Sequence, residues 1–153
     1  MVSDALKSAQ ACLAIQTVHL SHCYGNVRAD FDPARCDRES LLSQGFHALQ
    51  SADALEFEGE NAQGYRFTYL CGFRLVGKDE DQAAEGYVPN FEIVGSFSAS
   101  YRCSRQLSDE EVEAFSKNNV AYHIWPYWRE YLQSTAARMG LKEGIEVPMY
   151  RIS

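Results

Sequence analysis

A proline in the middle of the longest helix-compatible run limits what this chain can build. The run extends from Ser108 to Met139, SDEEVEAFSKNNVAYHIWPYWREYLQSTAARM, and Pro126 lies inside it. Ser108 followed by Glu111 forms a capping box, in which each side chain satisfies a backbone donor at a helix start. Asp109, Glu110 and Glu111 suit the positive end of the helix dipole. A helix is therefore expected to begin at Ser108, to weaken at Asn118-Asn119, and to resume as a longer piece near Asn119. At about 100° per residue, Ala121, Ile124, Trp125, Trp128, Leu132, Thr135, Ala136 and Met139 fall within an arc of roughly 120°. His123, Glu130 and Ser134 fall opposite, on a face expected to be wet. Gly140 then offers the left-handed residue that ends a helix. An interior proline costs on the order of 3 kcal/mol. Because Pro126 points away from the apolar stripe, a kink there bows the helix around whatever the stripe packs on.

The rest of the chain reads largely as strands. Met1 to Ala11 looks like a mobile or loosely helical lead-in. LAIQTVHLSHCY, from Leu13 to Tyr24, is rich in β-branched residues and free of glycine and proline, as a strand is. Asp30 to Gln50 reads as a long connection with one helical turn around Leu41 to Leu49. Leu55 and Phe57 alternate with Glu56, Glu58 and Glu60, and a turn at Asn61 to Gly64 leads into GYRFTYLCGFRLVG. There Tyr65, Phe67, Tyr69, Cys71, Phe73 and Leu75 share one face. After an acidic loop from Lys78 to Gly86, Phe91, Ile93, Phe97, Ala99 and Tyr101 share a face against Glu92, Ser96, Ser98, Ser100 and Arg102, which predicts a half-buried strand.

Four strands followed by one dominant helix predict an α+β domain, a four-stranded antiparallel sheet with the long Pro-kinked helix packed on one face. A single domain over residues 1–153 is expected, with residues 140–153 as a C-terminal loop. Aromatic residues make up 12% of the chain. One helix stripe about 30 Å long covers four long strands poorly. Aromatic surface is therefore expected either to stay open or to be covered by another subunit.

Charge and chemistry exclude several classes of function. The net charge of −7 argues against a nucleic-acid surface and against anionic lipid. There is no apolar run of about 18 residues and no secretory signal in Met1 to Gln10, so a soluble cytoplasmic chain is expected. The five cysteines, Cys12, Cys23, Cys36, Cys71 and Cys103, contain no CxxC pair and read as reduced, buried or semi-buried small hydrophobes. Phosphate-loop, GxSxG and HExxH motifs are absent. On a regular strand His19 and His22 point to opposite faces, so no metal site is expected with Cys23. His47, in the expected connection, and His123 read as solvated histidines. Arg129 and Glu130 read as a structural or interface ion pair. No catalytic site and no cofactor are expected.

Two segments carry a resemblance. HIWPYWREYLQSTAARMGL, followed by IEVPMYRI, is similar to SecB, the bacterial protein-export chaperone. That family carries an aromatic-Pro-Tyr-x-Arg-Glu run in its long helix, a helix end of small residues and a loop with a proline before the C-terminus. Here the run is Trp125, Pro126, Tyr127, Trp128, Arg129 and Glu130, and the later proline is Pro148. The resemblance covers Phe97 to Met149. It implies a four-stranded antiparallel sheet with helices on one side, a homotetramer built as a dimer of dimers, and grooves that hold unfolded polypeptides for delivery to the translocation motor. Two departures bear on this. The family C-terminal helix has no counterpart before Ser153, and the acidic motor-docking positions of the first strand fall on His22 and Asn26. These favour a SecB-like chaperone with a dedicated client, such as an antitoxin, over a general export factor.

The resulting expectation is an ATP-independent holdase for unfolded or non-native polypeptides. Its client-binding grooves are expected to be lined by Leu55, Phe57, Phe67, Tyr69, Phe97 and Tyr101 and bordered by Trp125 and Trp128. Two alternatives are a monomeric carrier that encloses a small apolar ligand in a closed cavity, and an adaptor that pairs strands with one folded partner.

Overall fold

A computed structural model describes residues 2–57 and 62–148. Helix α1 (Asp4–Cys12) leads into β1 (Leu13–Val27), followed by β2 (Leu41–Phe57), β3 (Ala62–Gly77), β4 (Phe91–Cys103), α2 (Asp109–Phe115) and α3 (Ala121–Arg138). The four strands form one antiparallel sheet in the order β1-β4-β3-β2. The helices cover one face of it. The expected α+β arrangement is present. Among the described residues no helix is long and apolar enough to cross a membrane.

The helix end of the chain follows its sequence closely. Ser108 caps α2 with both halves of the capping box formed. The weak point at Asn118-Asn119 is a π-helical turn, Ser116–Val120, after which α3 runs on to Arg138. Gly140, at φ 93°, closes the helix. Ala121, Ile124, Trp128, Leu132 and Ala136 are buried, while Trp125, Thr135 and Met139 are half-buried at the margin of the stripe. Pro126 is exposed, and the carbonyl its ring deprives of a partner belongs to Tyr122, also exposed, where water can satisfy it. His123 departs from expectation. It is half-buried and paired with the Tyr101 hydroxyl at 2.9 Å rather than solvated.

Three further expectations are corrected. The N-terminal lead-in forms the packed helix α1, capped by Ser3 and anchored by buried Leu6 and Ala9. Leu41 to Leu49 contains no helical turn. A single 3-10 turn, Arg38–Ser40, precedes β2, which runs through 17 residues including His47. The sequence there does not alternate because β2 is an edge strand with little buried on either face. Its hydrogen bonds to β3 hold it extended. The third correction concerns β4, which is buried on both faces rather than half-buried, because side chains of the neighbouring strands such as Gln50 and Thr68 reach over its small serines. Ser96 donates to Gln50 at 2.8 Å, and Ser98 pairs with Thr68 at 3.1 Å, so the serines opposite the helices are satisfied while covered. The expected turn at Asn61 to Gly64 falls partly outside the described residues.

The inner pair, β3 and β4, keeps an unbroken register, whereas the edge strands do not. Extra residues at Gln16 and Ser21 shift β1 against β4, and one at Gln50 shifts β2 against β3. Each reverses the alternation that follows it. This overturns the geometric argument about His19 and His22. They pair with Ser98 and Ser96 and lie on one face. Even so, no group of three or more His, Cys, Asp or Glu residues is placed to hold a metal among the described residues.

The core lies between the helices and the inner strands. Phe67, Tyr101 and Phe115 meet edge to face or tilted, with centroids 5.0–5.9 Å apart, and Ile124, Leu132, Phe91 and Ile93 complete the layer. At one end of the sheet Arg28 binds Glu80 through two hydrogen bonds, of 3.0 and 2.6 Å, and Asp30 at 2.6 Å, joining two loops. Arg28, with help from the Tyr87 hydroxyl, lowers the Glu80 carboxyl to about 2.

Candidate functional site: an apolar trough beside the edge strand

On the helix-facing side, β3 presents Tyr69, Cys71, Phe73 and Leu75. The residues of β2 paired with them are Leu49, His47, Gly45 and Ser43. The large Phe73 and Leu75 thus stand beside the small Gly45 and Ser43. The helix α3 rests on the inner strands β4 and β3 and does not descend onto β2. A trough of about 510 Å³ is left, with Ser43, Gly45 and His47 on one side, Phe73 below, and Trp125, Trp128 and Leu132 on the other. A Cβ added at Gly45 would meet only a backbone oxygen at 3.9 Å, so the space above it is open.

The segment after α3 crosses this space. Ile145, Glu146, Val147 and Pro148 line the trough, and the apolar Ile145 and Val147 are buried at alternate positions. Two side chains of α3 grip the segment by its main chain. Trp125 Nε1 donates to the Pro148 carbonyl at 2.6 Å, and Gln133 Nε2 donates to the Ile145 carbonyl at 3.2 Å. Trp125 is held by an edge-on contact with the His47 ring, centroids 5.6 Å apart. His47 Nδ1 is in turn 2.7 Å from the Tyr69 hydroxyl.

The trough is lined mainly by apolar side chains. Among the described residues, Glu146 is the one carboxylate lining it. In the β3 layer behind it, burial pushes the Cys71 thiol up to about 12, so it stays neutral and unreactive. Among the described residues, Arg129 and Glu130 form no ion pair, and Arg129 Nε is buried without a hydrogen-bond partner. Arg129 and Gln133 line a second hollow on the far side of the Ile145–Pro148 segment.

The eight residues expected to line one groove fall into three groups. Trp125 and Trp128 lie in the trough wall. Phe67, Tyr69, Phe97 and Tyr101 face the helices but are buried beneath them, forming core. Leu55 and Phe57 sit on the opposite face, because the extra residue at Gln50 turns the end of β2 over. Leu55 pairs with Gly64, and the Phe57 ring lies against Gly64 with the Arg102 guanidinium 4.9 Å above it. The eight therefore do not share one groove. Ser43, Gly45, His47 and the Ile145–Pro148 segment were not foreseen as lining. Small residues at alternate positions from Ser43 to Gly45 are the available signal, legible only once the segment is known to be a strand.

Comparison with solved structures places this architecture. The SecB-like chaperone Rv1957 of Mycobacterium tuberculosis, solved in complex with a ChAD peptide from the Rv1956 HigA1 antitoxin, superposes with a TM-score of 0.72. The match covers 98% of this chain and 100% of the other at 15% sequence identity. The fold is SecB-like. No family model and no curated protein matches the sequence. At such low identity the SecB-like likeness is one of fold, and the trough has to be judged on its own residues.

Proposed function

We propose that this SecB-like protein is an ATP-independent holdase that takes extended, apolar segments of non-native polypeptides into the trough between β2 and α3. One observation carries this reading. A stretch of the chain outside any helix or strand already lies there, with alternate apolar side chains buried and two carbonyls held by Trp125 and Gln133. Main-chain carbonyls are common to every polypeptide, so such donors suit binding that depends on apolar area and extension rather than on a sequence code. No chemical step and no cofactor enter this account.

A dedicated client of antitoxin type is favoured by the fold neighbour, whose structure holds an antitoxin peptide. His22 and Asn26, standing where the export chaperones carry acidic docking residues, argue against delivery to a translocation motor. The exposed Ile15, Leu20 and Tyr24 along the β1 edge suit contact with sister copies in a homotetramer. Several troughs in one assembly would raise apparent affinity through effective concentration.

The test mixes the purified chain with an aggregating unfolded protein and, separately, titrates it into a fluorescent extended peptide with alternating apolar residues. Suppressed aggregation at equimolar assembly and saturable peptide binding are expected. Absence of both overturns the proposal. A native mass showing a monomer with a small apolar molecule bound would instead favour the carrier.

A further inference from the structure

Away from the trough, two of the five cysteines meet. Cys12 is the last residue of α1 and Cys103 the last of β4, and their sulfurs lie 3.8 Å apart while the Cys103 thiol donates to the Arg105 carbonyl. The backbones are already in sheet register, since Leu13 pairs with Cys103 and Ser104 N–H donates to the Cys12 carbonyl at 3.3 Å. Leu13, directly opposite Cys103 and about 5 Å away as neighbouring strands are, thus holds the adjoining Cys12 beside it, with the sulfurs 3.8 Å apart. The two sulfurs need only approach by rotation and a small shift to reach bonding distance. Cys36 instead donates its thiol to the Pro33 carbonyl at 3.5 Å.

The surroundings assign different roles to the two thiols. Cys12 is half-buried and Cys103 buried, so an oxidant reaches Cys12 first. Arg105 stands beside both, its guanidinium fixed by Ser8 at 2.7 Å and by Glu111 at 3.1 and 2.5 Å. Burial pushes the Cys12 thiol above its ordinary value, with Cys103 adding to the effect and Arg105 opposing it. Cys12 therefore rests as a thiol at neutral pH and reacts faster as pH rises.

We propose that Cys12 and Cys103 form a reversible redox pair that closes to a disulfide with a low-molecular-weight disulfide such as oxidised glutathione. The Cys12 thiolate attacks one glutathione sulfur and expels the other glutathione as its thiolate, leaving a mixed disulfide. The Cys103 thiolate then attacks Cys12 Sγ and expels the second glutathione. Two protein thiols are oxidised, one glutathione disulfide is reduced, and the two protons end on the two glutathiones. The product ties α1 and the start of β1 to the end of β4 across a long loop, the class of crosslink with the largest effect on the unfolded chain. This site is independent of client binding.

The experiment incubates the reduced full-length chain with glutathione buffers of stepped ratio, quenches with an alkylating agent, and reads intact mass and a peptide map. We expect concerted loss of two thiols from the five, a peptide linking Cys12 to Cys103, and a rate that rises from about pH 7 to pH 9 with the thiolate fraction. Cys12→Ser and Cys103→Ser should each abolish the linked peptide, whereas Cys23→Ser should not. The oxidised chain should melt on the order of 10 °C higher than the reduced one. Glutathione carried only on exposed Cys23, or a Cys12–Cys103 link formed only in urea, overturns the proposal. If either serine variant fails to fold, the wild-type peptide map decides alone.

Discussion

Strands β3 and β2 lie side by side in one sheet and face the same helix, yet one is sealed and the other open. On β3, Phe67, Tyr69, Cys71, Phe73 and Leu75 fill the space up to α3. On β2, Ser43, Gly45 and His47 leave it unfilled. The difference teaches that the trough is made by missing side chains rather than by surplus ones. Most of the aromatic residues are consumed by the core, with α1 and α2 hiding what α3 alone cannot reach. Stability should therefore reside in β3 and binding in β2.

Substitutions on the two strands can break that division. Phe67→Ala removes a fully buried ring that touches Tyr65, Tyr101 and Phe115, and should cost about 3–5 kcal/mol in urea unfolding. Gly45→Leu places a side chain in open space on the neighbouring strand. It should weaken binding of the extended peptide about tenfold, near 1.4 kcal/mol, with the melting temperature almost unchanged. If Gly45→Leu unfolds the protein, or Phe67→Ala is mild, the contrast between the strands is wrong.

Smaller effects sharpen the comparison through the helices packed on the sheet. Ser108→Ala removes the capping box and should cost about 1 kcal/mol without altering peptide affinity beyond the loss of folded protein. His123 offers a test by pH. Burial holds its imidazole below its ordinary value of 6.5, so the unfolded chain takes up a proton before the folded one does. Stability should fall as pH drops through the window between that value and the lower folded one, then level off. In a series of melts over this range, His123→Phe should flatten that part of the profile.

How much of this was written plainly in the sequence depends on the strand. The capping box at Ser108, the stripe from Ala121 to Met139, and the shared faces of Tyr65 to Leu75 and Phe91 to Tyr101 are local periodicities, and they carry through intact. The faces of Leu55, Phe57, His19 and His22 do not, because single extra residues at Gln50 and Ser21 reverse the count without any glycine or proline to announce them. β2 itself was hidden, since an edge strand exposed on both sides needs no alternation. With β2 unread, the trough beside Gly45 was unreadable too, and aromatic residues that belong to the core stood in for it.

All three of the extra residues fall in the outer strands, while the inner pair has none. A strand with one side free has room to pucker, so its length can drift by a residue without disturbing the centre. The same puckers spoil the straight row of amides and carbonyls that an unfolded chain would otherwise use as a template. If the trough takes up loose polypeptides as proposed, the same puckers guard the molecule against growing into a fibre with them.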